Sequence, residues 1–145
     1  MKHILESTVY YGDTDSYGVV WHGTYLRWME QGRVEFCREI GLDLTELMRR
    51  DIVIPVTNLN IRYKASAKLE DRIVTETSIS KISPLTITFS QTIKEKNSGK
   101  VFIQAEVEVV AVNGEGRIYR RMPEDLKEFC KKAMDEELCQ DLISI

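Results

Sequence analysis

The segment Tyr11–Tyr25, YGDTDSYGVVWHGTY, concentrates side chains that could carry out acyl-transfer chemistry. Asp13 and Asp15 place two carboxylates two residues apart, and His22 follows them. A carboxylate can attack a carbonyl carbon, or it can activate a water molecule that does so. The residues between these groups are rich in turn formers, which predicts that the carboxylates lie on a loop.

A helical pattern begins directly after this loop. Apolar residues recur every three or four positions from about Thr24 to Ile40, and Gly41 follows as a stop signal. The first backbone N–H groups of a helix lack internal acceptors and carry the positive end of the helix dipole. A carbonyl oxygen placed there would be stabilised as it becomes an oxyanion. A carboxylate beside such a helix start could therefore catalyse acyl transfer without a metal or a serine.

The elements that must position this loop follow from the periodicity of the rest of the chain. Gly32 inside the long helix costs about 1 kcal/mol relative to alanine, which predicts a close contact there, either with backbone or with a partner chain. Alternating apolar and polar residues predict strands, a short apolar run predicts a second helix, and Pro123 opens a terminal helix. These segments are 3–11, 59–64, 85–94 and 101–109 for strands and 44–50 for the short helix, with turns at 83–84, 97–99 and 113–116. This order predicts an α+β fold in one domain, 1–145, with the long helix filling the apolar face of an antiparallel sheet.

The composition excludes several classes of function. A net charge of −3, from 20 basic and 23 acidic residues, gives no support to nucleic-acid binding. No apolar run approaches the length of a membrane span, and the N-terminus turns acidic before a signal peptide could form, so a cytoplasmic location is expected. Cys37, Cys130 and Cys139 match no zinc spacing. We expect three reduced thiols, with Cys37 and Cys130 packed on helices, and neither a metal nor a bound cofactor.

The loop and helix together resemble the signature of hotdog-fold thioesterases of the 4-hydroxybenzoyl-CoA thioesterase type, which include the YbgC-like acyl-CoA thioesterases. Their pattern, D-x-D-x-x-G-V-V-x-H-x-x-Y with a glutamate and an arginine further along the helix, is matched by Asp13, Asp15, Gly18, Val19, Val20, His22, Tyr25, Glu30 and Arg33. The similarity extends to Tyr63 with Asp71 and to Met122-Pro123, so it spans nearly the whole chain.

This resemblance implies an antiparallel sheet wrapped around a long central helix, with chains paired through edge strands and active sites at the dimer interface. It implies a homodimer or a homotetramer, and hydrolysis of an acyl-CoA thioester to free acid and CoA. Alternatives are a hotdog hydratase or dehydratase, which usually carries a different motif at this helix, and a non-catalytic acyl-CoA-binding protein. The acyl group, and the choice between CoA and acyl carrier protein as carrier, stay open.

The resemblance also implies roles for individual residues. Asp15 is the catalytic carboxylate, as nucleophile or as general base. His22, with a possible catalytic side chain, is expected to position the thioester together with Gly23 and Tyr25 at the helix start. Tyr17 and Val20 are expected to line an acyl pocket. Basic residues should meet the phosphates of CoA, and the candidates are Lys81, Arg117, Arg120 and Arg121.

Several of these residues have plainer structural readings. Asp13 is expected to cap a turn, and an Asx-turn would be the leading explanation of Asp15 without the motif. Glu30 is expected to form an ion pair, with Arg33 or with a second subunit. Trp21 is expected to pack in the interior.

Overall fold

The computed structural model describes residues 1–143, with side chains described as far as residue 134. Cys139 therefore lies outside the described side chains. The strands are β1 (His3–Thr8), β2 (Val56–Tyr63), β3 (Arg72–Ile82), β4 (Thr86–Glu95) and β5 (Val101–Val110). The helices are α1 (Thr24–Glu39), α2 (Leu44–Arg49) and α3 (Glu124–Ile143), and a 3-10 turn covers Tyr11–Asp13.

The five strands form one antiparallel sheet in the order β1-β3-β4-β5-β2. Hairpins join β3 to β4 and β4 to β5, as the turn residues predicted. The predicted first strand is too long at its C-terminal end, because the chain leaves the sheet after Thr8 and turns into the 3-10 segment. None of the helices in the described part of the chain is long and apolar enough to pass through a bilayer.

Helix α1 lies across the inner face of the sheet and packs mainly against β3 and β1. Its buried residues follow the helical period and form one stripe that faces the core: Thr24, Tyr25, Trp28, Met29, Gly32, Phe36 and Cys37. The predicted α+β arrangement, with a long helix filling the apolar face of an antiparallel sheet, is confirmed.

Gly32 marks a close approach of α1 to the sheet. A Cβ atom at this position would lie 2.8 Å from Thr77 Oγ1 and 2.9 Å from Thr75 Cγ2. These separations are shorter than packed side chains tolerate, so only glycine lets the helix come this near. The predicted close contact at Gly32 is thus confirmed.

A buried glutamine fastens α1 to β4. The Gln91 amide nitrogen donates to the Met29 carbonyl oxygen at 2.8 Å and to Thr77 Oγ1 at 2.9 Å. The Gln91 amide oxygen accepts a hydrogen bond from Arg33 at 3.0 Å. The predicted ion pair of Glu30 with Arg33 is wrong for the single chain, because Arg33 turns to Gln91 and Glu30 is exposed. Partial burial lowers the pKa of Arg33, and the nearby charge of Glu30 opposes that shift.

Candidate active site

The loop that carries Asp15 is a tight hairpin. Thr14 and Val20 form an isolated antiparallel bridge. Between them, the Asp15 N–H donates to the Val19 carbonyl oxygen at 2.8 Å and the Gly18 N–H donates to the Asp15 carbonyl oxygen at 3.1 Å. Gly18 has a φ of +79°, a left-handed conformation that favours glycine. The backbone hydrogen bonds of this hairpin therefore fix the position of Asp15.

The carboxylate of Asp15 is half-buried and only partly engaged. Its Oδ1 accepts a hydrogen bond from the Tyr17 N–H at 2.9 Å, which forms an Asx-turn. No hydrogen bond or ion pair is recorded for the Oδ2 atom within the described residues. The Asx-turn therefore orients the carboxylate and leaves one oxygen available for chemistry.

Asp13, in contrast, has a structural role. Its side chain is buried, and Oδ1 lies 2.6 Å from the Arg27 guanidinium on the first turns of α1. Its Oδ2 accepts the Tyr10 N–H at 2.9 Å. The Asp13 carbonyl oxygen accepts from the Trp21 N–H at 2.9 Å and from the Thr24 hydroxyl at 3.1 Å. The predicted turn-capping role of Asp13 is confirmed.

We expect Asp13→Ala to lower the free energy of unfolding by about 2 kcal/mol, because the Tyr10 N–H and the Arg27 guanidinium both lose an acceptor. Urea denaturation followed by circular dichroism measures this effect. Asp15→Ala, which removes only one exposed hydrogen bond, is the matched control and should change stability much less. Equal losses in the two variants would contradict the structural assignment of Asp13.

Helix α1 presents unpaired N–H groups at its start. Gly23 is the N-cap residue, and no side chain caps the helix there. Neither the His22 nor the Gly23 N–H has an acceptor among the residues that the structure describes. A Cβ atom at Gly23 would overlap the Trp21 indole ring as it lies in the structure, so a side chain at this position requires that ring to move.

These groups meet in a cleft of about 380 Å³. Its lining residues come from the Asp15 loop, the start of α1 and the end of β2, and they are Asp15, Val19, Val20, His22, Tyr25, Tyr63, Lys64, Ala65 and Ser66. Asp15, Val20, His22 and Tyr25, all named from the sequence, are thus brought together in one place, with Gly23 next to His22.

The hydroxyl groups of two tyrosines form hydrogen bonds that connect the segments lining the cleft. The Tyr63 hydroxyl donates to the His22 carbonyl oxygen at 3.0 Å, which ties the edge strand β2 to the residue ahead of α1. The Tyr25 hydroxyl accepts the Ala67 N–H at 3.0 Å. Burial raises the pKa of Tyr25, partly offset by the Ala67 hydrogen bond, so the phenol stays protonated at neutral pH.

The sequence did not identify Lys64, Ala65 and Ser66 as part of the site. They follow β2 without a motif of their own, and they reach the cleft because the Val20 N–H donates to the Ala67 carbonyl oxygen at 2.9 Å. This contact joins segments that are far apart in the chain, and no local sequence pattern predicts it. Lys64 places a cation at the cleft.

Other predicted site residues lie elsewhere in the single chain. Tyr17 is 89% exposed and does not line the cleft, so the chain alone does not place it in an acyl pocket. Trp21 is 52% exposed, contrary to the predicted interior packing, and its ring lies 5.0 Å from that of His22.

The basic residues predicted to meet CoA lie at the opposite end of the sheet from Asp15. The cleft adjoins the end of β2, where Tyr63 pairs with Ile103 near the start of β5. Lys81 instead pairs with Thr88 near the start of β4. The others, Arg117, Arg120 and Arg121, follow the far end of β5. Ten residues of strand separate these ends by roughly 30 Å, so one chain does not bring these cations to Asp15.

The described cysteines have no catalytic character. Burial raises the pKa of the Cys37 thiol to about 11 and that of Cys130 to about 12. Thiols with such values are almost fully protonated at neutral pH and are poor nucleophiles. The prediction that Cys37 and Cys130 are packed on helices is confirmed.

An antiparallel sheet wrapped around a long helix is the hotdog arrangement, and in this chain a carboxylate lies beside the start of that helix. The family model of the thioesterase-like superfamily matches residues 9–130, and the chain belongs to this superfamily. Several of its relatives are named thioesterases or thioester hydrolases, which confirms the predicted class of enzyme.

Individual relatives agree with this membership. The chain is 32% identical over 105 residues to the acyl-CoA thioester hydrolase YbgC of Escherichia coli O6:H1, covering 72% of this chain and 78% of the relative. It is 33% identical over 120 residues to sll0410 of Synechocystis sp., a protein that carries the name of an esterase, covering 82% and 72% of the two chains.

The fold matches that of 4-hydroxybenzoyl-CoA thioesterase from Pseudomonas sp. strain CBS-3. The TM-score is 0.80 at 22% identity, and the match covers 89% of this chain and 99% of the other. The predicted hotdog fold is confirmed.

Proposed function

We propose that the protein hydrolyses acyl-CoA thioesters to a free acid and CoA, with Asp15 as the catalytic carboxylate. One observation carries this proposal: the cleft combines an unengaged oxygen of Asp15 with the unpaired N–H groups that precede α1. The name of the E. coli relative, an acyl-CoA thioester hydrolase, supports CoA as the carrier.

In the proposed reaction, the thioester carbonyl oxygen accepts hydrogen bonds from the His22 and Gly23 N–H groups, which stabilise the negative charge that develops there. Asp15 then follows one of two routes. It attacks the carbonyl carbon and expels the CoA thiolate, leaving a mixed anhydride that water hydrolyses, or it removes a proton from a water molecule that attacks directly. Both routes yield the acid and CoA. The exposed His22 ring is not needed in either, since the backbone of His22 supplies the donor.

Lys64 lies at the cleft and is our candidate for a contact with the phosphates of CoA. The basic residues at the far end of the sheet would need a second chain. If two chains paired through antiparallel β2 strands about a two-fold axis, the start of the partner's β2 would lie beside Tyr63. Within each chain, the segment 112–121 adjoins the start of β2 through the bridge between Val53 and Val112. The partner's basic segment would therefore lie near Tyr63.

Apolar side chains on the edge strand support such a dimer. Val56, Leu59 and Tyr63 of β2 are 45%, 42% and 49% exposed in the single chain. An exposed edge strand with apolar side chains is a natural site for pairing with another strand, and two-fold pairing is the commonest form of self-association. We propose that the chain forms a homodimer through this edge, or a homotetramer of two such dimers.

A substrate panel tests the proposed function. Purified protein would be assayed for thiol release from CoA thioesters of aliphatic acids of several lengths and of benzoyl-type and naphthoyl-type acids, with the same acyl groups on acyl carrier protein for comparison. We expect hydrolysis of at least one CoA thioester well above the background rate. Release from none of them would contradict the proposal, and hydration of an enoyl-CoA would favour the hydratase alternative.

A further inference from the structure

A second cavity, of about 370 Å³, lies beside α1 at the other end of β2 from the cleft. Its walls are mainly apolar and come from α1, the segment after it, the sheet and α3, with Val34, Cys37, Leu44, Phe89, Leu126 and Cys130 among them. Glu30 and Arg33 are its charged members. An apolar cavity of about 150 Å³ can already bind benzene, so this volume can hold a substantial hydrocarbon group.

We propose that this cavity receives the distal part of the acyl chain of a thioester whose carbonyl lies at Asp15, which makes long-chain aliphatic thioesters the preferred substrate class. The inference rests on the proposed thioesterase function and deepens it by naming the acyl group.

One face of α1 connects the cleft to the cavity. Gly23, Leu26, Glu30, Val34 and Cys37 follow at spacings of three or four, so they share this face. The first of them lies beside the cleft, and the last three line the cavity. A chain that runs along this face therefore passes from the carbonyl site into the apolar space.

Strand β2 forms the opposite wall of the same groove. Leu59, Ile61 and Tyr63 alternate along β2 and share one of its faces. Tyr63 lines the cleft, whereas Val56 at the start of the strand lines the cavity. Since α1 packs mainly on β3 and β1, the groove stays open in the single chain. Leu26 and Leu59 are 41% and 42% exposed, and a second copy paired on β2 would cover them.

The geometry of α1 sets the length of acyl chain that fits. With a rise of about 1.5 Å per residue, Glu30 lies about 10 Å and Cys37 about 21 Å along the axis from Gly23. An extended hydrocarbon advances roughly 1.3 Å per methylene, given a C–C bond of about 1.5 Å. Roughly eight methylenes therefore reach the cavity and about sixteen reach its far wall. Acyl groups of four carbons stop short of it.

Filling the cavity tests this proposal. Val34→Phe and Cys130→Phe add bulk from two different helices, and Gln31→Phe is the matched control, because Gln31 is an exposed residue of α1 that does not line the cavity. For the unmodified protein we expect kcat/KM to rise at least about tenfold from butyryl-CoA to palmitoyl-CoA. In the Val34→Phe and Cys130→Phe variants, kcat/KM for palmitoyl-CoA should fall at least about tenfold, because two or three methylenes lose their apolar surroundings. The kcat/KM for butyryl-CoA should stay within about twofold, because its acyl group does not reach the cavity.

Butyryl-CoA turnover in the same preparation shows whether a variant is folded. Unchanged palmitoyl-CoA turnover in a folded Val34→Phe or Cys130→Phe variant, or an equal loss with both substrates, would overturn the assignment of the cavity. So would an unmodified protein that hydrolyses butyryl-CoA but not palmitoyl-CoA. Failure to hydrolyse any CoA thioester would instead overturn the proposed function.

Discussion

Replacing Asp15 with asparagine is expected to lower kcat at least about a thousandfold, a loss typical of removing a catalytic nucleophile or base. Asparagine keeps the side-chain oxygen that accepts the Tyr17 N–H, so the Asx-turn and the hairpin should persist. Its amide can neither attack a thioester carbon nor take a proton from water at neutral pH. The loss should therefore fall on kcat, with the folded structure preserved.

Single-turnover and steady-state assays with the best substrate of the panel would measure this loss, and thermal unfolding would report on the fold. Asp43→Asn is the matched control, because the Asp43 carboxylate also accepts a backbone N–H, that of Thr45 at 2.9 Å, at the start of α2. Asparagine caps a helix about as well as aspartate, so this variant should keep full activity. An Asp15→Asn protein that retained more than a tenth of the turnover would remove Asp15 from the mechanism.

Gly32→Val is expected to lower the free energy of unfolding by about 3 kcal/mol. A Cβ atom at this position already lies within 2.9 Å of Thr75 and Thr77 side-chain atoms, and valine would add two methyl groups to it. Overpacking of this kind typically costs about 1 to 3 kcal/mol, and sometimes more. Here the two γ-methyl groups add to the strain, and the better helix propensity of valine offsets only a small part of it.

Chemical denaturation of the purified variant measures this effect. Gln31→Val is the matched control, since Gln31 is the exposed neighbour on the same helix. That substitution changes helix propensity alone, which is worth a few tenths of a kcal/mol. If Gly32→Val proved as stable as Gln31→Val, the helix would have room to move away from the sheet and the close contact would not constrain it.

The features that the sequence predicted well are those that local patterns determine. The turn formers around Asp15 and the helical period from Thr24 onward are each read within a few residues, and the hairpin loop and α1 appear where they were expected. The motif selected Asp15 over Asp13 as the catalytic carboxylate, which stays a prediction, and both carboxylate oxygens of Asp13 are already engaged by Arg27 and Tyr10.

What the sequence missed depends on contacts between distant segments. Arg33 was expected to pair with Glu30, one turn away, but its partner is Gln91, 58 residues further along the chain. Lys64 reaches the cleft through a backbone contact that no periodicity encodes. The basic residues after β5 were linked to CoA by charge alone, and charge does not reveal at which end of a sheet a residue will lie.

The backbone N–H groups ahead of α1 have a consequence for how the enzyme can vary. In the proposed mechanism they are the donors to the carbonyl oxygen, and no replacement of His22 other than by proline deletes the donor at that position. In this mechanism, position 22 tolerates other side chains, and substitutions there can be used to alter the entrance of the cleft. A side chain at Gly23 would instead overlap the Trp21 ring and would require that ring to move. These two neighbouring positions therefore place different demands on a substitution.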